Sequence, residues 1–125
     1  MRLLLDSHTL FWAISEDRKL SGTAQRLILD EENDVFYSPV NLYEITFKAH
    51  RGRMPEAARH VPETALASGF EELALTTLHL VHAARLDWSH GDPWDRILLA
   101  QATLEDLHLV SVDAAFDART DRRLW

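Results

Sequence analysis

The sequence predicts an α/β fold: a central, mostly parallel sheet of four or five strands between layers of helices, in a single domain over residues 1–125. Three observations carry that reading. Short apolar runs of strand length recur along the chain, the pattern of strands buried on both faces. Between them lie capped segments with apolar residues at helical spacing, and this alternation joins parallel strands by crossover helices. Two of the runs, Arg2–Leu5 and His108–Val112, lead directly into Asp6 and Asp113, so both acids close a strand at its carboxyl end.

The elements follow in order. Arg2–Leu5 is the first strand and His8–Ile14 a brief helix. Ser21 is a good N-cap for a helix through Glu32, with Leu27 and Ile28 inward and Asn33 ending it. Asp34–Tyr37 is the second strand. Ser38 then caps and Pro39 takes the first position of a helix over residues 39–51, whose second turn carries Glu44 and whose apolar cover is Val40, Leu42, Tyr43 and Phe47. Pro62 and Gly69 bracket a short helix, Glu72–Leu75 reads as the third strand, and Thr77–Leu86 is helical. In Ser89-His90-Gly91-Asp92-Pro93-Trp94-Asp95-Arg96, Asp92 is an N-cap, Pro93 takes the first helical position and Asp95 the third. That helix runs to about Asp106, burying Ile97, Leu98, Ala100, Ala102 and Leu104. His108–Val112 is the fourth strand. Leu124-Trp125 fits either a fifth, edge strand or a packing plug.

A chain of 125 residues is enough to bury one proper core, and no repeat or low-complexity linker divides it. The absence of Cys excludes disulfides, thiolate chemistry and Cys-ligated zinc. The start is apolar for only three residues before Asp6, which fits neither a signal peptide nor a membrane span. The expectation is a soluble, cytoplasmic protein. Its formal net charge of -7 argues against tight non-specific binding of nucleic acid, which draws on a basic footprint. Basic residues do cluster in Lys48, His50, Arg51 and Arg53, where they either touch phosphates or satisfy the dipole at a helix end that Gly52 caps.

The informative set is four acids. Helices run antiparallel to the strands they connect, so helix starts and strand carboxyl ends share one edge of the sheet. Asp6 and Asp113 close strands, and Glu44 and Asp95 lie near helix starts. Ligands bind at that edge, where the strand order reverses. Taken singly, each acid suits a cap or a first helical turn. Together they are costly, since two like charges about 4 Å apart repel by roughly 4 kcal/mol at an effective dielectric of about 20. Such a cluster needs protons or cations, and Mg²⁺ and Mn²⁺ take carboxylate and water oxygens and assist phosphodiester hydrolysis.

The order Leu-Leu-Asp-Ser-His-Thr-Leu-Phe-Trp, then Ser38 to Glu44, then Asp-Pro-Trp-Asp-Arg-Ile-Leu-Leu-Ala-Gln-Ala, then Leu-Val-Ser-Val-Asp resembles the PIN-domain ribonucleases of the VapC toxin type, over Leu3 to Trp125. Asp6, Glu44, Asp95 and Asp113 fall on that family's metal-binding acids. The resemblance implies a PIN-like three-layer fold and an endoribonuclease that cuts RNA with Mg²⁺ or Mn²⁺. It also implies the toxin of a type II toxin–antitoxin pair, with a cognate antitoxin as partner and a homodimer as its usual state. Trp94 stands where Phe is more usual and Ser111 where Thr often stands; neither removes a ligand. Asp92 is an extra acid suited to capping, and Asp117 faces either the site or solvent. Ser7 and Ser111 are placed to orient carboxylates or waters, Ser7 the better of the two. For an antitoxin helix, Leu42, Phe47 and the exposed part of Trp12 are candidate groove walls, although apolar residues at helical spacing usually serve the core.

Rival classes each lose a residue. A receiver-type signalling domain needs an acceptor Asp after the third strand, where Thr76 and Thr77 stand. A haloacid-dehalogenase-type phosphatase needs a second Asp where His8 stands. A non-catalytic RNA- or protein-binding module of the same fold would be favoured by a missing acid, and none is missing. Of the seven His, His79 and His82 are three apart on a helix without a third ligand nearby, which favours a helical surface over zinc. Ser7 beside His8 makes no triad, because no nucleophile elbow is present.

Overall fold

The computed structural model describes residues 1–125. Five strands, β1 (Arg2–Leu5), β2 (Asp34–Tyr37), β3 (Glu71–Glu72), β4 (His108–Val110) and β5 (Arg123–Leu124), form one sheet in the order β3-β2-β1-β4-β5, every neighbouring pair parallel. Six helices flank it: α1 (Ser7–Ser15), α2 (Gly22–Leu29), α3 (Pro39–His50), α4 (Val61–Ala67), α5 (Thr77–Arg85) and α6 (Pro93–Leu104). Two 3₁₀ turns, Glu56–His60 and Ala114–Ala118, complete the chain. A receiver-type sheet places its third strand beside its first; here β3 lies beyond β2.

The period of two along β1 explains the layers. Leu3 and Leu5 join a core with Val35, Tyr37 and Val110 of the sheet and Leu10, Phe11, Ala24, Ile45, Ala49, Val61 and Ala65 of α1 to α4. Leu4 points the other way, into a second core with Phe36, Leu109, Phe116 and the α6 residues Leu98, Leu99 and Ala102. With both faces covered, the central strands after their first residues Arg2, Asp34 and His108 are apolar rather than alternating, the pattern that short Leu- and Val-rich runs display.

Several boundaries differ from the sequence reading. The third strand is Glu71–Glu72, not Glu72–Leu75: Leu73 N still donates to Tyr37 O at 2.8 Å, but β2 has by then turned into α3 and offers no further ladder. The fourth strand stops at Val110, short of Val112, because β1 ends at Leu5 and the Asp6 N to Val110 O bond is the last it can make. Helix α2 ends at Leu29 rather than Glu32; Asp30 Oδ1 accepts from Glu32 N at 3.0 Å in a turn, and Asn33 reaches back to donate to Leu27 O at 2.9 Å. Arg123–Leu124 is a strand at the sheet's edge, which decides between strand and plug. Gly52, at φ 68, follows α3 in the left-handed conformation expected of a residue that ends a helix.

Candidate functional site

The strand order runs outward in both directions from β1 and β4, so the switch point lies at their carboxyl ends. Asp6 follows β1 and is 6% exposed. It caps α1 by accepting from Thr9 N at 2.7 Å through Oδ1, while its Oδ2 accepts from the Ser111 hydroxyl that follows β4. Ser111 Oγ in turn accepts from Asp113 N at 3.0 Å, so one buried hydroxyl ties the two strand-end acids together. Asp113 caps the turn Ala114–Ala118 by accepting from Ala115 N at 2.9 Å through Oδ1. Capping and site roles are therefore compatible, since each of these acids spends one oxygen on a cap.

Glu44 is buried on α3. Its Oε1 accepts from Ser7 Oγ at 2.6 Å and its Oε2 is ion-paired with Lys48 one turn on. Ser7 Oγ also accepts from Asn41 Nδ2 at 3.1 Å, and Asn41 Oδ1 accepts from Ser38 N at 2.7 Å in the capping box that opens α3. Both serines thus hold site acids. Asp92 caps α6 by accepting from Trp94 N at 2.9 Å, as its preference implied. Asp95, in the first turn of α6, caps nothing; its Oδ2 pairs with His90 Nε2 at 2.7 Å. One donor atom from each of His90, Asp95 and Asp113 lies within 4.8 Å of the others.

Charge follows from this packing. Burial raises the Asp6 carboxyl above its ordinary range despite bonds from Ser111 and Thr9. Burial likewise pushes Asp95 up to about 6; His90 opposes the rise, and the neighbouring charges of Asp92 and Asp113 add to it. A divalent cation between Asp95 and Asp113 would offset the penalty on Asp95, and the three convergent oxygen and imidazole donors suit one; Asp6 and Glu44 are not among those donors.

The remaining candidates are dispersed. Asp117 turns to Arg123, which grips it at 2.8 and 2.9 Å and holds its carboxyl below the ordinary range. Arg123 also donates to Ser111 O at 3.0 Å, which leaves Asp117 one residue removed from the site. Lys48 faces Glu44, Arg51 stacks 4.0 Å over the Phe47 ring, and Arg53 is exposed. Leu42 and Phe47 do line an apolar groove, together with the half-exposed Tyr43 and Pro62, and Tyr43 packs 5.3 Å from Trp94 beside Asp95. Trp12 is elsewhere, against Trp125 at 5.9 Å. His79 is not on a helical surface: it is 2% exposed, its Nδ1 accepts from Thr76 N at 3.0 Å and its Nε2 reaches Glu105 at 2.8 Å. Sequence reasoning missed His90 altogether. Its one signal was its place two residues before the Asp92 cap, in a loop where periodicity has nothing to say.

No curated protein matches the sequence. Solved structures do match in fold: a toxin–antitoxin complex from Klebsiella pneumoniae at TM-score 0.70 and 18% identity, covering 98% of this chain and 96% of that one. VapC20 of Mycobacterium tuberculosis, described as a sarcin-ricin loop cleaving toxin, matches at TM-score 0.66 and 23% identity over 93% of each chain. VapBC2 of Rickettsia felis, solved with a promoter DNA fragment, matches at TM-score 0.69 and 16% identity, covering 94% of this chain and 92% of that one. These likenesses concern fold alone, but the sequence itself matches the PIN domain over residues 3–121: the chain belongs to the PIN domain family.

Proposed function

We propose that the chain is a metal-dependent endoribonuclease and the toxin of a toxin–antitoxin pair, acting in the cytoplasm and usually as a homodimer. The observation that carries the reading is the meeting of His90, Asp95 and Asp113 donors within 4.8 Å at the sheet's switch point, with Asp6 tied to Asp113 through Ser111. Asp6, Glu44, Asp95 and Asp113 hold a Mg²⁺ or Mn²⁺ ion. When bound, the ion supplies an acidified water and neutralises charge at the scissile phosphate. The protein's own part is positional. Ser7 and Ser111 fix the Glu44 and Asp6 carboxylates, and Lys48 offsets the charge of Glu44.

Water rather than the RNA 2′-hydroxyl is the nucleophile, so the products carry a 5′-phosphate and a 3′-hydroxyl. End-group analysis of cleaved RNA tests this, and 2′,3′-cyclic phosphate ends would refute it. The partner is an antitoxin whose apolar helix lies in the groove of Leu42, Tyr43 and Phe47 and whose Arg pairs with the carboxylates. The Klebsiella neighbour's description as a toxin–antitoxin complex supports that assignment. Co-expression with the neighbouring gene is expected to yield a tight complex without nuclease activity. A lone protein that is active and harmless on overexpression rejects the toxin role. No helix is long and apolar enough to cross a membrane.

A further inference from the structure

His90 is more firmly held than a loop histidine needs to be. Its ring packs at a tilt against Trp88, centroids 4.6 Å apart, and Trp88 packs at 5.7 Å on Phe116, which is fully buried. The backbone of the loop is clamped as well. The Arg96 guanidinium donates to Leu86 O at 2.7 Å, Trp88 O at 2.7 Å and His90 O at 3.2 Å. Arg96 is the residue after Asp95, so the helix turn that presents the carboxylate also anchors the loop that presents the imidazole. A surface His–Asp pair contributes little to stability and needs no such anchoring. The two fixed donors come from two segments, and a third, Asp113, comes from the chain that follows β4.

We propose that His90 is a metal ligand: its Nε2 joins Asp95 and Asp113 in the inner coordination sphere, making a mixed nitrogen and oxygen site that favours Mn²⁺ over Mg²⁺. The inference rests on the metal-site reading above and adds to it a ligand and a selectivity. Mg²⁺ is bound through oxygens, whereas first-row divalent ions also accept an imidazole nitrogen; Mn²⁺, the hardest and weakest-binding of them, is the one that suits a site whose other donors are carboxylates. With Nε2 on the metal, its bond to Asp95 Oδ2 is exchanged for a shared ion.

Pulsed electron paramagnetic resonance of the Mn²⁺-loaded protein reads the inner sphere directly, without reference to cleavage. The expected result is an imidazole ¹⁴N modulation in the parent that disappears in His90→Gln. Titration should show a Kd for Mn²⁺ weakened on the order of tenfold in that variant, with the Kd for Mg²⁺ changed less than twofold. Parent protein labelled with ¹⁵N-histidine must show the corresponding change in modulation, which needs no substitution at all. Absence of nitrogen coupling, or its persistence in His90→Gln, overturns the ligand assignment while leaving an all-oxygen metal site standing. Mn²⁺ binding that Asp95→Asn does not weaken overturns the metal site itself, and this inference with it.

Discussion

Replacing Asp95 by Asn is expected to stabilise the metal-free protein and to abolish its stabilisation by metal. Burial, with Asp92 and Asp113 nearby, raises the Asp95 carboxyl from 3.8 to about 6, so at pH 7.5 the folded chain carries a charge that its surroundings disfavour. At about 1.4 kcal/mol per pH unit, that interval corresponds to about 3 kcal/mol. The carboxylate keeps partial access to water, so screening reduces the usable figure to about 1–2 kcal/mol. The amide retains the shape and the His90 contact and removes the penalty. For a domain of this size that is roughly 3–8 °C in Tm. In the parent, a cation at about 100 times its Kd adds roughly 2.7 kcal/mol; in Asp95→Asn most of that increment disappears. The pH dependence has a definite sign. A carboxyl that binds its proton more tightly folded than unfolded contributes stability fully below pH 3.8, and the contribution is lost as pH rises through about 6. Asp6, raised in the same direction, adds to the trend. Scanning calorimetry in chelator and in Mn²⁺, at pH 5 and 7.5, measures all of these quantities. A lower chelator Tm for Asp95→Asn at pH 7.5, or an undiminished Mn²⁺ shift, would refute the argument.

Other expectations follow from the same contacts. Ser111→Ala removes a bond to a buried carboxylate and strands Asp113 N, and urea titration should register a loss of about 2–4 kcal/mol. Arg96→Met releases three loop carbonyls, so the Tm should fall by several degrees and amide exchange should accelerate across Leu86–His90; unchanged exchange there would mean the clamp is not what orders the loop. Asp113→Asn should keep the fold by circular dichroism and cut RNA on the order of 10²-fold more slowly, so cleavage at the parent rate removes Asp113 from the site. His79→Ala should cost about 2–3 kcal/mol by denaturant titration without changing Mn²⁺ affinity, because that histidine bridges α5 to Glu105 rather than serving the site.

The sheet and the capping residues were readable because their causes are local. Leu3, Leu4 and Leu5 form an uninterrupted apolar run only because both faces are covered, and Ser38, Pro39, Asp92 and Pro93 mark helix starts through chemistry confined to four or five residues. The alternation of elements put Asp6 and Asp113 at the ends of neighbouring strands, while the three donors that converge are His90, Asp95 and Asp113, without Asp6 or Glu44. What stayed illegible depends on partners distant in sequence. His79 reads as surface until Glu105 folds against it, and His90 owes its place to carbonyls gathered by Arg96 and to the packing of Trp88 on Phe116. Strand length was misjudged for β3 and β4, where a neighbour turns away before the apolar residues end.

The margins of the sheet are built against the addition of another strand. β3 is two residues long and both are exposed glutamates, and β5 is equally short and carries Arg123, whose guanidinium is already committed to Asp117 and the Ser111 carbonyl. Unpaired strand edges invite a foreign strand, and brevity and charge are how proteins discourage it. Two Glu71-Glu72 edges brought side by side repel, and neither is long enough to register another strand. Neither margin therefore offers a ribbon for another strand to extend, whereas on the outer side of α5 Leu78 and Val81, three residues apart, stand in solvent.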